Sequence, residues 1–355
     1  MKFDPTMASF FGDTLLKWYL ANKRDLPWRH TKDPYRIWLS EVILQQTQVV
    51  QGLSYYKKFV KTFPTIKHLA KAKEDTVLKM WQGLGYYSRA RNLHTTAKMV
   101  NTIYKGVFPK TYEEIKSLKG VGNYTAAAIT SMAYNMPYAV VDGNVYRVLS
   151  RVFGINTPIN STEGIKKFQE LANELLLKKK AGVYNQAIME FGARYCRPAN
   201  PNCENCVLSD KCLAYSLNKV SQLPVKLKKI KIRDRYFNYF LLVDKNQNVI
   251  VHKRDKKDIW QGLFELFLIE TEKETDLKTL LKSKQIKTFG KNFVVEGIHR
   301  EYKHILSHQH LHSHFYVLKF KGSFAKTHKT ITLQDLKKLA WPRLIDKFLQ
   351  VASYV

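Results

Sequence analysis

The chain is 355 residues long, 45% hydrophobic and 13% aromatic, with 59 lysines and arginines against 29 aspartates and glutamates and a formal net charge of +30 at pH 7. That length allows about two domains, each with a sizeable core, and no apolar run approaches the roughly twenty residues of a membrane span, which argues against an anchor. A basic excess spread along the chain predicts a polyanionic partner, nucleic acid first, and an N-terminus without a secretion signal predicts a cytoplasmic, nucleoid-associated monomer that keeps its thiols reduced.

From Phe10 to about Leu213 the sequence reads as helices separated by breaks such as Asp33-Pro34, Phe63-Pro64, Gly83-Leu84-Gly85, Phe108-Pro109 and Gly120-Val121-Gly122, so this half is all-α. Trp38, Leu39, Val42, Ile43, Val49 and Val50 recur at helical spacing and predict one helix from Trp38 to Val50, with Glu41, Gln45 and Gln48 on its other face. The segment from Glu114 to Ile129 predicts a helix, a Gly120-Val121-Gly122 hairpin and a second helix rich in small residues. In such a helix–hairpin–helix, glycines let the backbone approach a DNA phosphate, and amide hydrogens at the second helix's start face the anion. Asp142 follows the apolar pair Val140-Val141 and precedes a further helix, the place of an N-cap. The run Lys178 to Lys180 reads as a solvated helix end.

All four cysteines fall within seventeen residues as Cys196-x6-Cys203-x2-Cys206-x5-Cys212. Two disulfides would need an oxidising compartment. Zinc usually takes close Cys pairs set well apart, whereas these gaps form one compact loop able to wrap the corners of a [4Fe–4S] cubane; spacing alone leaves iron and zinc both open. Residues 216–235, basic and containing Pro224, read as an interdomain linker too polar to pack. Beyond it the period changes to two, and Tyr236–Val243, Val249–His252, Leu263–Ile269 and Phe315–Phe320 read as strands, making the second domain, 236–355, α+β. The histidines from His304 to His314 alternate with apolar residues, as surface positions of a strand do.

Hairpin glycines, an aspartate about twenty residues later and a cysteine loop beyond it form a pattern that resembles the helix–hairpin–helix DNA glycosylase superfamily, which includes endonuclease III, over residues 10–213. Within it, Leu26-Pro-Trp-Arg29, Trp38-Leu-Ser-Glu-Val-Ile-Leu-Gln-Gln-Thr-Gln48 and Gly83-Leu-Gly-Tyr-Tyr-Ser-Arg-Ala-Arg-Asn-Leu93 are similar to the MutY family, adenine glycosylases acting on adenine mispaired with 8-oxoguanine. Trp260-Gln-Gly-Leu-Phe-Glu-Leu266 is similar to the Nudix-like domain that the family appends. A hydrolytic Nudix box with its clustered carboxylates is missing, so the resemblance implies a lesion reader. It implies, in all, an all-α helix–hairpin–helix glycosylase domain (1–215) with an iron–sulfur loop at 196–212, and an α+β Nudix-like domain.

The resemblance also implies roles. Adenine leaves poorly as an anion, so a proton must reach its ring while the sugar develops positive charge; one acid and one anion are needed, as in glycoside hydrolysis. In the family these map onto Glu41, which protonates N7 and activates water, and Asp142, which stabilises the oxocarbenium ion. Tyr124 and Asn144 would orient Asp142 and the sugar. Tyr124 stands where endonuclease III-like enzymes carry a lysine, and tyrosine forms no Schiff base, so little or no lyase activity is implied. Base extraction would use Tyr86 as wedge with Gln46 and Thr47 beside the estranged base, and Arg29, Trp28 and Gln186 lining the adenine pocket. Ser307 and His308 match the family's Phe-Ser-His contact to 8-oxoguanine, with Leu306 in place of phenylalanine. A cluster on the four cysteines would steady Arg194 and Arg197 against duplex DNA holding adenine opposite 8-oxoguanine or guanine. The rivals are an endonuclease III-like glycosylase for oxidised pyrimidines and a non-catalytic DNA-binding iron–sulfur protein.

Overall fold

The computed structural model describes residues 5–227, 232–325 and 327–352, with side chains except at 5 and 299–301. Contacts divide the chain into two compact units, one of residues 1–71 and 92–228, the other of residues 72–91 and 229–355. Up to Arg194 the α-helices, in chain order, are α1 (Pro5–Asn22), α2 (Pro34–Leu44), α3 (Val49–Thr62), α4 (Ile66–Lys71), α5 (Glu74–Trp81), α6 (Ser88–Ile103), α7 (Tyr112–Ser117), α8 (Asn123–Tyr134), α9 (Gly143–Val152), α10 (Thr162–Leu175) and α11 (Ala181–Arg194).

In the first unit α8 is the pivot. Its Ala126, Ala127 and Ala128 are buried, and with no long side chains there α2 and α11 pack close on either side. On α11, a Cβ added at Gly182 would stand 2.5 Å from the Ser131 carbonyl oxygen, so this approach needs glycine. Phe168, Phe191 and Tyr184 fill the surrounding core, each contributing roughly 1.5–3 kcal/mol of burial. The predicted hairpin is present. Thr111 and Glu114 form a capping box at the start of α7, and Val121 N–H donates to the Leu118 carbonyl at 3.1 Å to close the turn before α8. Gly120 has φ +79°, and a Cβ there would lie 2.8 Å from Cβ of Asn92; Gly122 caps α8 without a side-chain bond, and a Cβ there would meet nothing within 4 Å.

Two sequence expectations need correction. The helix expected from Trp38 to Val50 is two helices: α2 ends at Leu44, Gln45 turns extended, Gln46 takes φ +53°, and α3 starts at Val49. The apolar pattern runs on across the break, so periodicity gave no sign of it. The basic stretch 216–235 is also not too polar to pack. Leu223 is buried and its carbonyl accepts from Arg151 Nε at 3.1 Å, and Val225 O accepts from Ile159 N–H at 3.0 Å. The next strand starts at Arg233, and residues 228–231 of the expected linker lie outside the described residues.

The second unit is a six-stranded sheet of β1 (Arg233–Val243), β2 (Asn248–Lys253), β3 (Phe264–Thr271), β4 (Phe293–Ile305), β5 (Gln309–Phe320) and β6 (Thr330–Thr332), in the order β4-β5-β1-β3-β2-β6. β1 and β5 run parallel, with Arg233 opposite Gln309 and Val243 opposite Lys319; the other neighbours are antiparallel. Alternate residues of β1 face two cores. Phe237, Tyr239 and Leu241 join Phe315, Trp341 and Phe348, while Phe240 and Leu242 join Ile286 and Leu318. Helix α5 and its following loop belong to this unit: Lys79 Nζ donates to Leu339 O at 2.7 Å, Tyr87 Oη to Trp341 O at 3.3 Å and Arg91 Nη1 to Gln261 O at 2.5 Å.

Candidate active site

A cavity of about 580 Å³ opens in the first unit among α2, α8, α9 and α11, within the range of about 300–1,000 Å³ usual for ligand pockets. It gathers Trp28, Arg29, Glu41, Gln46, Thr47, Tyr124, Asp142, Asn144 and Gln186, residues up to 158 positions apart that the sequence had singled out separately. The end of α2 delivers Glu41, and the break after it swings Gln46 and Thr47 to the same opening.

Glu41 is 8% exposed and accepts one hydrogen bond, from Tyr124 Oη at 2.6 Å. Burial pushes its carboxyl up; the Tyr124 bond and the Arg29 charge pull down and the Asp142 charge pushes up, leaving it at about 7. Tyr124 Oη also lies 3.4 Å from Met189 Sδ; its hydroxyl thus bonds Glu41, where the sequence had suggested a partner for Asp142. The reason is placement: Tyr124 lies in the first turn of α8, which packs on α2.

Asp142 is the N-cap of α9. Its Oδ1 accepts from Asn144 N–H at 2.9 Å and Val145 N–H at 2.8 Å, and its Oδ2 accepts from Asn144 Nδ2 at 2.8 Å. Asn144 is held in turn by Arg147, whose Nη2 donates to Asn144 Oδ1 at 2.9 Å and to Gly192 O at 2.6 Å. Burial raises the Asp142 carboxyl above the ordinary aspartate value and outweighs the two backbone bonds, the Asn144 side chain and the Arg147 charge, which pull it down. Cap and charged group are therefore one residue: the helix start both fixes Asp142 and favours its anion.

On the facing wall Glu190, 1% exposed, accepts from Arg24 Nε at 2.8 Å, Arg24 Nη2 at 2.6 Å, Arg24 N–H at 3.0 Å and Arg29 Nη2 at 2.7 Å. Burial pushes its carboxyl up, but the Arg24 and Arg29 bonds outweigh it and hold it at about 2. Arg29 also stacks over the Tyr19 ring at 5.4 Å, and Tyr19 Oη donates to Gln186 Oε1 at 2.9 Å. Sequence reading missed Glu190, Arg24 and Tyr19. Glu190 had a signal, a lone acid within the apolar run Ile188-Met189-Glu190-Phe191, four residues after Gln186 on one helix face.

The four cysteines line one cavity with Arg151, Phe191 and Leu208, and none is in a disulfide. Arg151 Nη1 lies 3.4 Å from Cys196 Sγ and Leu208 N–H donates to Cys206 Sγ at 3.5 Å, donors that suit sulfur carrying negative charge. Burial pushes the Cys206 thiol up to about 11 and raises Cys203 and Cys212, with the neighbouring cysteines adding to it. Among the described residues no three His, Cys, Asp or Glu side chains are gathered to hold a single metal ion. Arg194 donates to the Asn22 carbonyl and Arg197 Nη2 to Asn200 O at 3.3 Å.

Tyr86, Ser307 and His308 belong to the second unit. Tyr86 is half exposed with φ +47°, between Gly85 at φ +72° and Arg89, whose buried guanidinium stacks on the Tyr86 and Trp81 rings and donates to Leu84 O and Gly85 O at 3.2 Å. Ser307 and His308 are exposed at the β4–β5 turn, and Leu306 packs on the core beneath. The histidines of β5 sit at strand positions, with His312 Nε2 2.8 Å from Asp234. No helix among the described residues is long and apolar enough to cross a membrane.

Residues 39–174 match the HhH-GPD superfamily of base excision DNA repair proteins, and residues 238–351 match the NUDIX domain. The adenine DNA glycosylase of Buchnera aphidicola subsp. Baizongia pistaciae is 35% identical over 344 residues, 96% of this chain and 95% of that protein. A thermostable thymine-DNA glycosylase superposes with TM-score 0.56 at 33% identity, covering 60% of this chain and all of the other. Endonuclease III in a non-covalent DNA complex superposes with TM-score 0.53 at 19% identity over 61% of this chain and 99% of the other, a likeness of fold.

Proposed function

The chain belongs to the adenine DNA glycosylases of the HhH-GPD superfamily, and from that membership we propose that it hydrolyses the N-glycosidic bond of adenine opposite 8-oxoguanine or guanine in duplex DNA, acting as a monomer in base excision repair. The observation that carries this is the pairing of two carboxylates in one cavity with different surroundings, buried Glu41 raised to about 7 and half-buried Asp142 held by three N–H donors. Environments that separate two carboxylates assign an acid and an anion.

Glu41, protonated near neutrality, donates to N7 of the flipped adenine as the bond to the sugar breaks, and its carboxylate then takes a proton from the attacking water. Asp142 stays ionised and faces the developing oxocarbenium ion. Tyr124 fixes Glu41, Arg147 and Asn144 fix Asp142, and Trp28, Arg29 and Gln186 hold the base. With tyrosine at 124 and no Schiff base, the backbone is left uncut. Tyr86 fills the gap left by the flipped base, with Gln46 and Thr47 beside it, and Ser307 and His308 meet the purine opposite. Gly120 and Gly122 let the hairpin backbone reach a phosphate. Cys196, Cys203, Cys206 and Cys212 would hold a [4Fe–4S] cluster that takes no part in base release and stiffens the segment between Arg194 and Arg197 and its neighbours. The support for it is one shared cavity for four thiols.

The test is single-turnover release of free adenine from duplexes with adenine opposite 8-oxoguanine, guanine or thymine, with strand cleavage scored before and after alkali. Release from the two purine mispairs alone, with nicks only after alkali, is expected; visible absorbance near 400 nm reports the cluster. Release of thymine from mispairs in place of adenine would favour a second reading, suggested by the 33% identity to the thymine-DNA glycosylase.

A further inference from the structure

The turn Leu306–His308 between β4 and β5 is closed by Gln309 O accepting from Leu306 N–H at 2.8 Å. Beneath it the donor and acceptor roles are determined one by one. Arg235, 8% exposed, can only donate. Its Nη1 lies 3.1 Å from Gln309 Oε1, so that end of the amide is the oxygen and the other is the NH2 group. Gln309 Nε2 then donates to His308 Nε2 at 2.8 Å. An N–H facing a ring nitrogen requires that nitrogen to be bare, so the neutral imidazole carries its proton on Nδ1. Nδ1 lies 3.2 Å from Ser307 Oγ, which therefore accepts from His308 and keeps its own hydrogen to donate elsewhere.

The relay has a fixed origin. Arg235 is held by Asp258 at 2.9 and 3.0 Å and by Glu270 at 2.7 and 2.8 Å, leaving Nη1 aimed at Gln309. Without Gln309 the imidazole would revert to the Nε2–H tautomer that solution favours, and a bare Nδ1 would draw the Ser307 hydrogen inward.

We propose that Gln309 and Arg235 are positioning residues that hold His308 as the Nδ1–H tautomer and thereby make the Ser307 hydroxyl a hydrogen-bond donor toward the purine opposite the excised adenine. This rests on the reading that the turn faces that base. A donor hydroxyl meets an acceptor, and N7 of guanine and O8 of 8-oxoguanine both qualify, so the turn as built admits both purines. A hydroxyl turned inward offers lone pairs alone, which suit the N7–H of 8-oxoguanine and repel N7 of guanine.

Nitrogen-15 NMR of the full chain at pH 8, with the His308 ring signals identified by their loss in His308→Gln, tests the relay before any DNA is added. Wild type is expected to show a bare Nε2 and a protonated Nδ1, and Gln309→Met a protonated Nε2. Gln309→Glu is expected to protonate Nε2 as well, and keeps an acceptor for Arg235 should the methionine variant fold poorly. In single turnover, Gln309→Met should raise the ratio of the rates opposite 8-oxoguanine and guanine on the order of threefold to tenfold, the weight of one hydrogen bond, and Ser307→Ala should cancel that effect. A protonated Nε2 in wild type, or a tautomer unchanged in both variants, overturns the relay. A changed tautomer with an unmoved ratio overturns the placement of the turn on the opposite base, and no adenine release from either duplex sinks the glycosylase reading itself.

Discussion

Glu41 and Glu190 stand on opposite walls of one cavity, 8% and 1% exposed, yet one carboxyl is held near 7 and the other near 2. Burial pushes both up. The difference lies in the donors: Glu190 receives four bonds, all from Arg24 and Arg29, whereas Glu41 receives one from a neutral phenol and has the Asp142 charge beside it. Depth of burial alone therefore does not set the carboxyl; whether a guanidinium bonds it does. Glu190 keeps Arg29 in place, and Glu41 is left able to hold a proton near neutral pH.

Removing the acid should break this contrast most severely. Glu41→Gln is expected to slow single-turnover adenine release by about 10²–10⁴-fold, and the wild-type rate should fall as pH rises past about 7. The same substitution has the opposite effect on stability. The folded state holds the Glu41 proton over the window from 4.5 to about 7 where the unfolded chain has lost it, so wild-type stability declines as pH rises through that window. The variant escapes this, and at pH 8 its thermal unfolding should show a gain of up to about 3 kcal/mol that vanishes near pH 4.

On the other wall, Glu190→Gln leaves two guanidinium groups without their anion and should cost about 3–5 kcal/mol at pH 7, read as a lower denaturation midpoint. The sign with pH is reversed here: the wild-type carboxylate stabilises the fold above its unfolded pKa of 4.5, and this is lost as pH falls toward about 2. The deficit of the variant should therefore shrink in acid.

Asp142→Asn sharpens the comparison, because asparagine caps a helix as well as aspartate does. Stability should change by less than about 0.5 kcal/mol, while adenine release should fall by on the order of 10²-fold with loss of the anion. A parallel loss of stability would mean that Asp142 serves the helix alone. The smallest effects are expected at the hairpin. Gly120→Ala meets a φ of +79° and Asn92, and should cost about 1 kcal/mol or more, whereas Gly122→Ala meets nothing and should leave the melting temperature unchanged while weakening duplex binding severalfold.

What the sequence made legible was local chemistry. Glycines at 120 and 122, a cap at Asp142 and four clustered cysteines each announced their element, and the structure gathers the cysteines round one cavity. Pairings across the fold were hidden. Tyr124 gave no sign that its hydroxyl would meet Glu41, 83 residues earlier. The break after Leu44 lacks glycine and proline, since Gln46 itself adopts the left-handed turn. Strand β4 escaped notice because its charged run, His299 to His304, reads as polar loop; it is an edge strand, where polar side chains are tolerated. The Arg235–Gln309 pair under the β4–β5 turn was invisible for the same reason as Glu190: these are ordinary polar residues until tertiary packing removes water from them.

The assignment of residues 72–91 to the same compact unit as the C-terminal sheet has a consequence for how this protein can be taken apart. The chain passes from one unit to the other three times, after residues 71, 91 and 228, so the units are not beads on a string. Cutting within the basic stretch near Leu227 would separate helix α5 and the Tyr86 loop from Leu339, Trp341 and Gln261, the groups that accept their hydrogen bonds. An excised helical half would thus carry residues 72–91 without the partners that accept their hydrogen bonds.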